Sequence, residues 1–73
     1  MTTEEMLPIL IGTAVGRYPM EIANLLNSTG VTIDAQNFTS DELIDSVFAG
    51  LVNNAKFNRE FSFWITSNID KLS

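Results

Sequence analysis

The sequence predicts an all-α fold: a compact orthogonal bundle of about four short helices, forming one domain over residues 1–73. Three observations carry that reading. Thr39 and Glu42 have capping-box spacing, with Phe38 and Leu43 placed as a hydrophobic staple around them, so one helix starts there. Pro19 and Gly30 bracket a second helix from its two ends. The stretch from Lys56 to Leu72 carries Phe57, Phe61, Phe63, Trp64, Ile65, Ile69 and Leu72, mostly at helical spacing.

Taken in chain order, the first helix covers the uncharged run Met6 to Gly16. Pro8 has no N–H for a hydrogen bond one turn back, so the conflict is smallest if the helix starts near Leu7 with Pro8 in its first turn. Leu7, Leu10, Ile11 and Ala14 then share a face, and Ile9 lies off it. Gly12 and Gly16 have the small-xxx-small spacing that allows close backbone approach; the expectation is tight packing at Gly12 and a helix end at Gly16.

The second helix starts at Tyr18-Pro19-Met20-Glu21, with Pro19 in the first helical position, and presents Ile22, Leu25 and Leu26 on one face. Asn27-Ser28-Thr29-Gly30 closes it, Gly30 supplying the left-handed residue that commonly follows a helix. Val31-Thr32-Ile33 alternates like a strand, yet so short a strand has nothing to pair with. Val31 to Asn37 is therefore an extended connector with Val31 and Ile33 turned inward.

The third helix follows the capping box, with Asp41 and Glu42 suited to the positive end of its dipole and Leu43, Ile44, Val47, Phe48 and Leu51 as its apolar stripe. Asn53-Asn54 breaks the chain before the aromatic helix. At about 100° per residue, six of the seven large apolar residues of that last helix fall in one stripe about 140° wide. Phe63 faces almost the opposite way, near Arg59 and Asp70. Two placements follow for it: beneath the first helix or the connector, or against another chain, as exposed apolar patches usually are.

Composition narrows the chemistry. The chain has neither cysteine nor histidine, which removes disulfides and the usual zinc ligands. Its net charge is −5 and uneven: residues 1–55 carry −6 and residues 56–73 carry +1. That balance argues against nucleic-acid binding by phosphate neutralisation and disfavours an anionic membrane surface as partner. The run Met6 to Gly16 is too short to span a bilayer, and Glu4 and Glu5 before it replace the basic residues of a secretory signal, so the expected location is cytoplasmic, not secreted. The sequons at Asn27 and Asn37 are then coincidental.

No cofactor or metal is expected. Asp34 to Asp45 lacks the ligand alternation and central glycine of an EF-hand. Asp41 and Glu42 are explained by capping, Asp45 by a solvated face, and Ser46 lies well inside its helix, unlike a carrier-protein serine, which opens one. The chain is therefore read as non-enzymatic. The expectation is a small interaction or assembly protein that docks onto a larger complex or self-associates; an accessory structural component of a phage or virus particle is one setting for it. Its candidate contact residues are Phe63, Arg59 and Ile9, with Arg17 and Tyr18 as a recognition corner, since arginine and tyrosine are common among binding hot spots. Two alternatives use other parts of the chain: an acidic inhibitor occupying a basic nucleic-acid-binding groove, and a peripheral membrane protein attached through Met6 to Val15.

Overall fold

The computed structural model describes residues 3–72, with side chains from Met6 to Leu72; those of Glu4 and Glu5 lie outside the described set. Five helices occur in the order α1 (Thr3–Arg17), α2 (Pro19–Ser28), α3 (Ser40–Asn53), α4 (Ala55–Ser67) and α5 (Ile69–Leu72), and no strand forms among the described residues. The fold is an all-α bundle in which α3 packs against α1, α2 and α4, while α5 returns to α1. Its radius of gyration, 11.3 Å, is that of a chain this long folded around one core.

The predicted boundaries appear with their hydrogen bonds. Thr39 Oγ1 accepts from the Glu42 N–H at 3.1 Å, and Glu42 Oε1 accepts from the Thr39 N–H at 3.0 Å, so both halves of the capping box form. At the end of α2, Gly30 has φ +97°, which turns the chain so that the Val31 N–H reaches the Leu26 carbonyl at 2.9 Å and the Gly30 N–H reaches that of Asn27 at 3.2 Å. These two bonds make a Schellman motif, the reason a glycine stands there.

Of the extended connector expected over Val31 to Asn37, residues 31–34 form as expected, with Val31 and Ile33 packed on the core and Thr32 and Asp34 exposed, whereas residues 35–37 turn: the Gln36 N–H donates to Asp34 Oδ1 at 3.0 Å and the Asn37 N–H to the Asp34 carbonyl at 3.2 Å. Asn27 supplies the strand partner the sequence lacks. Its Nδ2 donates to the Ile33 carbonyl at 2.9 Å, and its Oδ1 accepts from the Ile33 N–H at 3.0 Å.

Helix α3 meets α4 across the single residue Asn54. Its Oδ1 accepts from the Phe57 N–H at 2.9 Å, capping α4, and its Nδ2 donates to the Thr29 carbonyl at 2.9 Å, holding the joint to the end of α2. Asn58 Nδ2 adds a bond back to the Leu51 carbonyl at 2.9 Å. The core centres on Ile11, Ile22, Leu26, Leu43, Val47, Phe57 and Phe61, all buried. Phe57 lies over Gly50, where a Cβ would come within 2.6 Å of the ring, and stacks on Phe61 with centroids 5.2 Å apart.

Four further expectations, on the first and last helices, are corrected. Helix α1 begins at Thr3 rather than near Leu7, with Pro8 inside it. Pro8 has no N–H to donate one turn back, and the missing bond falls in the early turns of the helix rather than at its centre. Gly12 and Gly16 have no heavy atom within 4 Å of a built Cβ, and α1 continues to Arg17, so neither glycine serves packing within the chain. The aromatic helix does not run to Leu72: it ends at Ser67, with Asn68 Nδ2 bonded to the Trp64 carbonyl at 2.8 Å, and α5 starts afresh. That break leaves Leu72 buried but turns Ile69 partly outward.

Candidate interaction surface

Helix α4 buries Phe57, Phe61 and Ile65, and the opposite side of the same helix carries Lys56, Arg59, Glu60, Phe63 and Ser67, all exposed. Phe63 is 72% exposed. That exposure leaves no room for the first helix or the connector to lie over the ring. Of the two placements open to Phe63, burial within the chain is therefore overturned. Its geometry has a simple origin: with the core side of α4 fixed by Phe57, Phe61 and Ile65, residue 63 falls far round the helix from all three.

The Arg17-Tyr18 corner has a different place. Tyr18 is half-buried and meets Trp64 edge to face, with ring centroids 5.8 Å apart. Arg17 Nη1 donates to the Lys71 carbonyl at 2.6 Å, across 54 residues of sequence. An arginine at the last carbonyls of a helix satisfies an acceptor with no partner in the helix and suits the negative end of its dipole. Arg17 and Tyr18 thus join α1 to the end of α4 and to α5. Ile9 lies on α1 and is 56% exposed, its carbonyl accepting from Thr13 Oγ1 at 2.9 Å. The five candidates fall into three groups: Arg59 with Phe63 on the outside of α4, Arg17 with Tyr18 at an internal junction, and Ile9 on α1.

Helix α3 carries a second outward stripe ending in apolar residues, which differs from the expected apolar face. Phe48, assigned above to the core face, is 41% exposed, and Val52 is 81% exposed. The reason lies at Gly50. Its bare backbone admits the Phe57 ring, so the core side of α3 is Leu43, Val47 and Gly50, and Phe48 stands about 160° from Gly50 round the helix. The signal was present as Asp41, Asp45, Phe48 and Val52, which recur at helical spacing on the side opposite Leu43 and Val47. Met20, 52% exposed near the start of α2, is a further apolar side chain on the surface.

Among the described residues no group of three or more acidic side chains is placed to hold a metal ion. No helix among them is long and apolar enough to cross a membrane. No buried side-chain nitrogen or oxygen among them lacks a hydrogen-bond partner, so the interior presents no polar group waiting for a ligand. Two outward helix faces, on α3 and α4, each set an exposed aromatic ring beside charged residues. No protein-family model, curated protein or solved structure matches the chain.

Proposed function

We propose that this chain is a small, non-enzymatic interaction or assembly protein that acts by docking through its outer helix faces, onto a larger protein complex or onto copies of itself. One observation carries the reading: Phe63 remains 72% exposed although Phe57, Phe61 and Ile65 on the same helix complete the core without it. A phenylalanine in that position adds nothing to internal packing and offers a large apolar area to a partner. The acidic balance of residues 1–55 favours a protein partner over nucleic acid; the setting we propose is the cytoplasm, or a phage or virus particle assembled there.

The test is native sedimentation of the chain from cells that carry it, with Phe63→Ser as the variant. The wild type should travel in a species larger than 8.1 kDa, and the variant should shift toward the free chain. A wild-type chain that sediments as the free monomer, with Phe63→Ser indistinguishable from it, would sink the proposal. Raised salt should have little effect on an apolar contact, whereas it would release an acidic inhibitor from a basic groove.

A further inference from the structure

We infer that the occupant of these faces is a second copy of this chain: the outer face of α4 in one copy docks in parallel on the outer face of α3 in the next, with Phe63 against Phe48 and Val52. The inference rests on the docking reading above and deepens it by naming the partner.

On α3, Asp41, Asp45, Phe48 and Val52 form one exposed stripe, with acids in the first two turns and apolar residues in the last two. On α4, Lys56, Arg59, Phe63 and Ser67 form the corresponding stripe, with bases first and the aromatic ring after them. The two patterns have opposite charge and the same register. Asp41 precedes Phe48 by seven residues, and Lys56 precedes Phe63 by seven. Laid in the same direction, the helices set Asp41 and Asp45 against Lys56 and Arg59 and bring the rings together at once. Laid in opposite directions, they would set charges against rings.

Glu60 is the one opposing charge on the α4 face, which leaves it at +1 against −2 on α3. Asp41, Asp45, Lys56 and Arg59 have no ion-pair partner among the described residues, so all four charges are available to a neighbour. In such a contact the apolar centre supplies affinity, while the charges set direction and register. Because the two faces differ, each copy offers one of each kind, and association continues until a ring closes or a filament grows.

The experiment uses the purified full chain, followed by sedimentation from micromolar to millimolar concentration, with two single variants, Phe63→Glu and Val52→Glu. Both positions are largely exposed, so both variants should fold, which circular dichroism checks. The wild type should self-associate, and each variant alone should be weakened by about 30-fold or more, the effect of a hot-spot residue. Mixed in equal amounts, the variants should form a pair and nothing larger, since the intact α3 face of the first meets the intact α4 face of the second. A monomeric wild type, a Val52→Glu variant that associates like the wild type, or a mixture that stays monomeric would overturn the inference. If the pure chain is monomeric while the species seen in cells still depends on Phe63, docking stands and the partner is another protein. If neither holds, both readings fall.

Discussion

Gly50→Ala is a sharp test of the packing described here, because two opposing effects of known size meet at one position. A methyl group in the middle of a helix normally stabilises by about 0.5–1 kcal/mol relative to glycine. At Gly50 that methyl would lie 2.6 Å from Phe57 Cδ2 and 3.1 Å from Cε2 and Cγ. Unstrained carbon contacts need roughly 3.5–4.0 Å, so the ring must move by about 1 Å. Phe57 is fully buried and stacked on Phe61, itself stacked on Trp64 at 6.3 Å, so the displacement has nowhere to dissipate. Overpacking of this kind costs about 1–3 kcal/mol and should exceed the helical gain, for a net loss of about 1–2 kcal/mol. In a domain of this size that lowers Tm by roughly 5–15 °C, measurable by thermal circular dichroism. Gly12→Ala is the internal control: with no heavy atom within 4 Å it should gain the propensity term alone and raise Tm by about 2–8 °C. Combining Gly50→Ala with Phe57→Leu should cost less than the two changes added, since the smaller side chain relieves the clash. A Gly50→Ala protein that melts at or above the wild-type temperature would refute the close approach of Phe57 to α3.

The other expectations follow from single contacts. Asn54→Ala removes a helix cap and the bond to Thr29, and should cost about 2–3 kcal/mol in urea denaturation, while Asn54→Asp keeps the cap and should cost less; equal losses would show that the bond to Thr29 alone matters. Phe63→Ser should leave stability within about 0.5 kcal/mol despite removing a phenylalanine, because an exposed ring contributes little to folding. A loss on the scale of a core phenylalanine, about 3 kcal/mol, would mean that Phe63 is covered within the chain. Arg17→Gln should speed amide hydrogen exchange at the C-terminal end of the chain while hardly moving global stability, since it frees one carbonyl at the edge of the fold; unchanged exchange there would show that the Arg17 contact does not hold α5.

Features with strictly local causes were readable in the residues. Thr39 and Glu42 sit three apart, and the cap they form involves only that turn; Pro19 and Gly30 act through their own φ angles. Features that depend on a neighbour were not readable. The core side of α3 is decided by Phe57 entering over Gly50, a contact between two helices, and periodicity alone therefore placed Phe48 inside. Asn27 and Asn54 look like ordinary helix-end residues until the backbone groups they reach, at Ile33 and Thr29, are brought close. The candidate surface divides the same way. Phe63 could be singled out because a single helix projection puts it opposite its own stripe. Whether anything covered it, and what Arg17 bonded to, depended on the path of the rest of the chain.

The one-residue joint at Asn54 bears on shape beyond the single molecule. With a cap on one side, a bond to α2 on the other and an aromatic ring seated over Gly50, the directions of α3 and α4 are coupled rather than hinged. Any assembly that uses both outer faces would inherit that angle at every step, so its curvature and repeat would be encoded in a few atoms at the joint. Substitutions at Gly50 or Asn54, neither of them among the contacting residues proposed here, would then alter the symmetry of the assembly while leaving the contact itself intact.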